Sequence, residues 1–262
     1  MTQHESLRLH CKALRLPTIR EVVGDTIARA ERESWSFEGF LLHLLEQELE
    51  GRRRRRIERL QKVSHLPSGK TLAQLDESRL PLRVRRMLPR LQQGEFVDRA
   101  ENILLFGLPG TGKTHLAAAI GHALVETGRS VLFIPTFQLV GRLLRAKRDY
   151  ELERELRQLD RIQVVILDDI GYVQQSREEM EVLFTFLAER YERRSVMITS
   201  NLVFSEWDQI FKDPLTTAAA IDRVVHHSII IEFGKEISSL RAEEAARRNW
   251  DAFADSEKQD GP

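Results

Sequence analysis

An eight-residue glycine-rich pattern constrains the fold of this chain more than any other feature. Residues 107–114 read Gly-Leu-Pro-Gly-Thr-Gly-Lys-Thr, which is a complete G-x-x-x-x-G-K-[ST] pattern. The apolar run Ile103–Phe106 precedes it and the helix-forming run His115–Val125 follows it. A strand, this loop and a helix in that order are typical of a P-loop. A glycine-rich turn that merely ends in Lys-Thr is the alternative. The pattern in this setting predicts a nucleoside triphosphate site.

The residue types of this loop suit phosphate chemistry. Glycine lets the backbone wrap closely around an anion, and the helix N-terminus adds partial positive charge. Lys113 is expected to reach the β- and γ-phosphates, and the Thr114 hydroxyl is expected to hold Mg²⁺. The predicted nucleotide-binding residues are Gly107, Leu108, Pro109, Gly110, Thr111, Gly112, Lys113, Thr114 and His115.

A second motif carries two carboxylates at the end of an apolar run. Residues 164–169 read Val-Val-Ile-Leu-Asp-Asp, and the carboxyl end of a buried strand is where ligands bind in open α/β sheets. Asp168 suits the Mg²⁺ shell, and Asp169 suits the orientation or deprotonation of the attacking water. The alternative is a strand end with a solvated aspartate pair.

Polar residues further along the chain extend the candidate site. Thr199-Ser200-Asn201 ends the next predicted strand, and a polar residue there is expected to lie between the two motifs and to position the attacking water. An Asn201 that merely occupies a strand-to-helix turn is the alternative. Arg223 is suited to act in trans across a subunit interface, unless Asp222 and Arg223 form a surface pair. Arg241, early in the last predicted helix, is a candidate for contact with phosphate from the same subunit, and a solvated arginine on an exposed helix is the alternative.

The alternation of strands and helices after residue 101 indicates the fold class. The first hundred residues are expected to be helical, whereas the later part predicts a doubly wound α/β domain with a largely parallel sheet. The predicted strands are Ile103–Phe106, Val131–Ile134, Val164–Asp168, Val196–Ser200 and Ile229–Glu232, and helices are expected near 113–126, 136–159, 176–193, 206–226 and 237–253.

The charge distribution suggests a polyanionic partner. Residues 52–90 hold 13 basic and 3 acidic side chains. Several guanidinium groups on one helix favour salt-sensitive DNA binding without sequence preference. The predicted DNA-binding residues are Arg52, Arg53, Arg54, Arg55, Arg56 and Arg59. The alternative is a solvated helix face whose charge is balanced by the acidic residues of 46–50.

Cysteine content and hydropathy limit the environment of the chain. Cys11 is the single cysteine and cannot form an internal disulfide, which fits a reducing compartment. No run approaches the roughly 18 apolar residues that a membrane span needs, and the first residues lack the order of a signal peptide. We therefore expect a soluble cytoplasmic protein without metal-binding clusters of His and Cys.

Five segments of the chain together resemble one family. They are Gly-Leu-Pro-Gly-Thr-Gly-Lys-Thr-His-Leu-Ala (107–117), Leu-Asp-Asp-Ile-Gly-Tyr (167–172), Ile-Thr-Ser-Asn-Leu (198–202), Arg-Tyr-Glu (190–192) and Ala-Ile-Asp-Arg-Val-Val-His-His (220–227). This set resembles the IstB family, AAA+ ATPases that help insertion sequences transpose and are close to the DnaC helicase loaders. The N-terminal half is similar too, since Glu46-Gln47-Glu48 before the arginine run and Lys70-Thr71-Leu72 stand where that family has its helical DNA-binding region.

The resemblance implies a fold, an activity and roles. It implies an AAA+ P-loop ATPase with a parallel five-stranded sheet, preceded by a small all-helical domain. With ATP and Mg²⁺ the chain would form a homo-oligomeric ring or spiral on double-stranded DNA and engage a cognate transposase. Lys113, Thr114, Asp168 and Asp169 would bind and hydrolyse ATP, Asn201 would be sensor 1, Arg223 the trans-acting arginine and Arg241 sensor 2. The expected domains are 1–70 (helical, DNA-binding), 71–100 (connector), 101–255 (ATPase) and 256–262 (a disordered tail).

Two departures from the family pattern bear on these roles. Many AAA+ proteins have Glu where Asp169 stands, which implies slow hydrolysis. The family's Gly-Glu-Ser-Tyr-Arg is here Gly-Lys-Glu-Ile-Ser-Ser-Leu-Arg (234–241), so the alignment of Arg241 needs extra residues.

Two other functions fit the phosphate loop. A helicase loader would favour a helicase-docking helix and stacking aromatics in a strand groove, but residues 52–90 contain no aromatic residue. A small-molecule P-loop kinase leaves the basic stretch unexplained.

Overall fold

A computed structural model of the chain describes residues 2–172, 176–202 and 224–234. The helices in these ranges are α1 (Gln3–Ala13), α2 (Pro17–Arg32), α3 (Phe37–Ser64), α4 (Leu82–Gln93), α5 (Glu95–Asp98), α6 (Lys113–Glu126), α7 (Thr136–Arg148), α8 (Leu152–Asp160) and α9 (Arg177–Arg190). The strands are β1 (Asn102–Gly107), β2 (Val131–Pro135), β3 (Val164–Asp168), β4 (Ser195–Ser200) and β5 (Ser228–Phe233). Short 3₁₀ helices cover Leu72–Gln74, Glu77–Arg79 and Ile170–Tyr172.

The chain divides into two compact units, Met1–Arg59 and Leu60–Pro262. This division falls inside α3, whereas the domain boundary expected from the sequence lies at residue 70. The assignment of domain functions stays a prediction.

The first unit is helical, as the sequence predicted. A capping box between Thr2 and Glu5 begins α1. The N-cap residue of α2, Leu16, has a side chain that cannot accept a hydrogen bond. The Glu48 carboxylate of α3 takes its place and accepts hydrogen bonds from the backbone N–H groups of Thr18 (2.8 Å) and Ile19 (3.1 Å). An acceptor is needed there because the first N–H groups of a helix have no partner within it. The small core of the unit contains Cys11, Ile19, Val23 and Leu44.

The second unit contains a parallel five-stranded sheet, which confirms the predicted fold class. The strand order is β2-β3-β4-β1-β5, and every neighbouring pair is parallel. All carboxyl ends therefore point to one edge of the sheet. Strand β4 lies between β1, which leads into the glycine-rich loop, and β3, which ends in the aspartates. Whatever side chain ends β4 must lie between the two motifs.

The helix expected over 136–159 is two helices, and this prediction was wrong at its centre. Helix α7 ends at Arg148 and α8 begins at Leu152, because Tyr150 adopts a left-handed φ of 58°. The N–H groups of Tyr150 and Glu151 bond back to carbonyl oxygens of α7, at 3.2 and 2.7 Å. This closing pattern is a Schellman motif, with tyrosine where glycine is usual. The helices expected near 206–226 and 237–253, apart from residues 224–226, and the tail 256–262 lie outside the described residues.

Helix α6 carries a glycine, Gly121, at a point where two neighbouring side chains lie very close to its backbone. A Cβ at Gly121 would stand 2.8 Å from the Leu66 side chain and 2.9 Å from that of Ile166 in β3. The glycine thus lets the segment after α3 and the sheet approach α6 from two sides. Within the described ranges, no helix is both long enough and apolar enough to cross a membrane.

Candidate nucleotide-binding site

The glycine-rich loop connects the inner strand β1 to the buried helix α6. Strand β1 ends at Gly107, and α6 begins at Lys113. Gly112, the N-cap residue, has a φ of 99° and makes no side-chain cap. Only glycine adopts this backbone readily, and the uncapped first turn directs N–H groups toward the loop. The predicted strand–loop–helix arrangement is confirmed, and such a helix end attracts phosphate.

The lysine of the loop is held inside it. Lys113 is 7% exposed, and its Nζ donates bonds to the carbonyl oxygens of Gly107 (2.6 Å) and Leu108 (2.8 Å). Thr111 also bonds the Leu108 carbonyl, at 2.8 Å. These contacts place the ammonium group under the loop backbone, where it is available to a polyphosphate that the loop wraps.

Thr114 and Asp168 meet across the sheet edge. The Thr114 hydroxyl donates to Asp168 Oδ1 at 2.9 Å, so the first turn of α6 and the end of β3 present adjacent oxygen atoms. Hydroxyl and carboxylate oxygens are the ligands that Mg²⁺ prefers. The donor set therefore fits the predicted Mg²⁺ site at these two residues.

A threonine of β4 joins the two aspartates. Thr199 is 1% exposed; its Oγ1 donates to Asp168 Oδ1 at 2.7 Å and accepts from the Asp169 N–H at 2.8 Å. Asp169 itself has a left-handed φ of 65°, a conformation that aspartate tolerates better than most residues. The sequence predicted a polar residue between the two motifs at the end of β4 but gave the specific role to Asn201; that Thr199 contacts both aspartates is seen only in the structure.

Two further polar residues lie at this edge. Thr136, at the start of α7, donates to the Asp168 carbonyl oxygen at 3.0 Å. The Oδ1 atom of Asn201 is buried and has no hydrogen-bond partner among the described residues. It lies against Gly171, where a Cβ would collide with it. An amide oxygen can only accept, so a hydrogen-bond donor such as a bound water would satisfy it.

The remaining predicted site residues lie elsewhere or outside the described ranges. The His115 ring is 3.1 Å from the carbonyl oxygen of Thr71, so it contacts the segment that precedes the ATPase strands. Arg223 and Arg241 lie outside the described residues, and their roles stay predictions.

The arginine run lies in the exposed part of α3, but two of its members also have internal partners. Glu48, 3% exposed, accepts from Arg52 at 3.0 Å and from Arg55 at 3.2 Å. Arg52 also bonds the Arg15 carbonyl, and Arg55 bonds Thr18. The side chains exposed to solvent are those of Arg52, Arg53, Arg54, Arg55, Arg56 and Arg59.

The contacts of Glu48 also set its pKa. Burial raises the pKa of this carboxyl, but the bonds from Arg52 and from the backbone N–H groups of Ile19 and Thr18 outweigh it, so that the pKa lies below its usual value. Arg52 and Arg55 thus stabilise the first unit as well as adding positive charge to its surface.

Arg190 was noted in the sequence only as part of a motif, and the structure gives it a structural role. Its buried guanidinium donates to the carbonyl oxygens of Leu159, Ile162, Gln163 and Ser195, at 3.0 to 3.2 Å. Burial lowers the pKa of Arg190 to about 9, partly opposed by Asp160. The side chain satisfies carbonyl groups around the amino ends of β3 and β4, away from the nucleotide edge.

Comparisons with known proteins point to one family. The family described as IstB-like ATP binding protein matches residues 9–246. An insertion sequence ATP-binding protein of Sinorhizobium fredii is 44% identical over 237 residues, covering 90% of this chain and 80% of that protein. The insertion sequence IS21 ATP-binding protein of Pseudomonas aeruginosa is 37% identical, covering 93% and 91%.

Solved structures share the fold. The DnaC helicase loader superposes with a TM-score of 0.51 at 19% identity, over 58% of this chain and 89% of that one. DnaI superposes with a TM-score of 0.53 at 23% identity, over 62% and 89%. Replication initiator DnaA bound to AMPPCP and single-stranded DNA gives 0.54 at 14% identity, over 66% and 53%.

Proposed function

Because this chain belongs to the IstB-like ATP-binding protein family, we propose that it is a DNA-binding regulator of transposition that works by ATP hydrolysis. ATP binding and ATPase activity follow from the family. Assembly on duplex target DNA, and the recruitment or stimulation of a transposase, are the proposed steps. The observation that carries the proposal is the combination, in one chain, of an assembled nucleotide site with a helix whose arginines are exposed.

The geometry supports hydrolysis at the carboxyl edge of the sheet. The loop N–H groups and Lys113 would bind the β- and γ-phosphates, which stabilises the charge that develops on them. Thr114 and Asp168 would hold Mg²⁺, which would supply further neutralisation of that charge. Asp169 would orient the water that attacks the γ-phosphorus while the bond to the β–γ bridging oxygen breaks, giving ADP and phosphate.

A trans role for Arg223 is supported by the position of its neighbour in the chain. Val224 is buried, and its carbonyl oxygen accepts from the Asn102 side chain at 3.2 Å. Asn102 begins β1, whereas the nucleotide loop follows the end of this six-residue strand. At about 3.3 Å per residue, the two ends of β1 are about 16 Å apart. The Val224 carbonyl therefore lies at the amino edge of the sheet, opposite the nucleotide loop of the same chain.

The proposed DNA contact depends on charge. Exposed arginines of α3 would bind phosphate oxygens of duplex DNA without reading bases, which gives affinity that falls steeply with salt. The relatives are named for insertion sequences, which favours transposition over replication as the process served. The likeness to helicase loaders concerns the fold alone.

Electron microscopy with ATP tests the proposal, with and without a duplex of about 50 base pairs. We expect ordered oligomers on the duplex with ATP and fewer with ADP. Single-stranded DNA of the same length is the comparison, and oligomers formed only on it would favour a helicase-loader function. Adding the cognate transposase tests recruitment, through co-sedimentation with the assembled complex.

A further inference from the structure

We propose that Thr199 is a positioning residue for ATP hydrolysis, which acts by fixing both aspartates of the site at once. This inference rests on the ATPase activity of the family and not on the DNA-directed function proposed above. The two can therefore fail separately.

The direction of each hydrogen bond at Thr199 is determined by its partners. A backbone N–H can only donate, so Thr199 Oγ1 accepts from Asp169 at 2.8 Å. Its single hydroxyl hydrogen is then directed to Asp168 Oδ1 at 2.7 Å. The hydroxyl thus has one orientation, and it connects two consecutive residues that have different predicted roles.

The surroundings of Thr199 make this bridge hard to replace. The residue is 1% exposed, so bulk water does not compete for the hydroxyl. It pairs in register with Leu105 of β1, and it follows Ile198, which pairs with Leu167 of β3. The strand order therefore places this side chain between the end of β3 and the glycine-rich loop.

The bridge has a consequence for each aspartate. Asp168 Oδ1 accepts from Thr199 and from Thr114, and the two bonds together fix the carboxylate toward the start of α6. The bond to the Asp169 N–H supports that residue in its left-handed conformation, with a φ of 65°. Backbone strain of this kind persists where the surrounding structure over-determines it. Loss of the hydroxyl would free the peptide unit that separates the metal-side carboxylate from the catalytic one.

The test compares Thr199→Val, which keeps the side-chain shape, with Thr199→Ser, which keeps the hydroxyl. Partners that orient ligating groups typically contribute 10- to 100-fold to activity. We therefore expect Thr199→Val to lower kcat by about 10- to 100-fold at saturating ATP and Mg²⁺. The Kd for ATP should change by less than about threefold, because the loop and Lys113 are untouched. Thr199→Ser should restore kcat to within about threefold of the parent chain.

Thr26→Val is the matched control. Thr26 is also buried, and its hydroxyl bonds a carbonyl of its own helix in the first unit, at 2.8 Å. This variant should leave kcat and ATP affinity unchanged. The thermal midpoint of each variant separates a positioning role from a folding defect.

Two results would overturn the proposal. One is an unchanged kcat in Thr199→Val. The other is an equal loss in Thr199→Val and Thr199→Ser accompanied by a lowered thermal midpoint, which would assign Thr199 to packing. If the parent chain hydrolyses ATP but does not bind duplex DNA, the proposed function is refuted and this inference is unaffected.

Discussion

The Thr114 hydroxyl donates a 2.9 Å hydrogen bond to the Asp168 carboxylate, although 54 residues separate them in the chain. Thr114 belongs to the first turn of α6, which follows β1, and Asp168 ends β3. Strand β4 lies between β1 and β3 in the sheet. The bond shows that the first turn after the loop and the end of the acidic strand meet at one edge of the sheet. It also brings together the oxygen atoms that Mg²⁺ would need.

Replacing Lys113 by Ala should abolish ATP-dependent assembly. A hydrogen bond to a charged group contributes about 1.5–3 kcal/mol, so we expect ATP affinity to fall by about 10- to 150-fold. Titration with a fluorescent ATP analogue and light scattering measure the two effects. Lys147→Ala is the matched control, since that lysine pairs with Glu181 on the surface. ATP-driven oligomers that persist without Lys113 would refute the role given to the loop.

Arg223→Ala should retain ATP binding and lose hydrolysis, because its proposed partner is a phosphate in the neighbouring subunit. Mixing it with Asp169→Asn should restore part of the activity, since mixed oligomers contain interfaces with one intact Asp169 and one intact Arg223. Steady-state phosphate release measures this. The double variant mixed with Arg223→Ala is the control and should show no rescue. Equal rates in both mixtures would count against action in trans.

Replacing Arg53, Arg54, Arg56 and Arg59 by Ala should weaken duplex binding and flatten its salt dependence. These four are chosen because Arg52 and Arg55 also hold Glu48, so that their removal would confound binding with stability. The slope of log K against log salt should decrease in magnitude by about 0.9 for each DNA phosphate that the variant no longer neutralises. Fluorescence anisotropy at several salt concentrations measures it.

The control for this charge removal is Arg154→Ala combined with Arg157→Ala. Both arginines lie on α8 and pair with glutamates close by in the chain. We expect the salt slope of this variant to match that of the parent chain. If the variant that lacks the four α3 arginines shows the same slope of log K against log salt as the parent chain, α3 does not bind DNA through them.

Glu48→Gln should destabilise the start of α2 near neutral pH, because Arg52 and the N–H groups of Thr18 and Ile19 lose a charged acceptor. The cost is about 1–3 kcal/mol in the free energy of local opening. Since the folded-state pKa of Glu48 lies below its usual value of 4.5, its stabilisation is complete above that value. It is lost as the pH falls through the folded-state pKa. Hydrogen exchange of 17–32 should therefore differ at pH 7 and converge under acid conditions.

Glu50→Gln is the control for this pH dependence, because Glu50 is an exposed residue of the same helix. Its exchange rates should match the parent at both pH values. A Glu48→Gln variant with unchanged exchange at pH 7 would show that the first turn of α2 does not depend on the carboxylate.

Sequence patterns predicted the parts of the fold that depend on local spacing. All five strands were expected within one residue of their ends, because short apolar runs between polar turns identify buried strands. The prediction of one helix over 136–159 was wrong at Tyr150. This residue adopts the left-handed conformation that ends α7, a position where glycine is usual and would have been visible in the sequence. The role of Glu48 was missed because its partners, at the start of α2, are about thirty residues away.

The sequence by itself determined that the chain has a phosphate loop, an acidic strand and an arginine-rich helix, because each of these is a run of neighbouring residues with its own chemistry. Only the tertiary structure decided how they cooperate. The order of parallel strands put β4 between the two motifs, and so brought Thr199 within hydrogen-bond distance of both aspartates. The packing of α2 against α3 also buried Glu48, so that the two arginines beside it on α3 have a buried partner. Strand order and helix packing depend on contacts between distant segments, and the spacing of residues along the chain does not encode them directly.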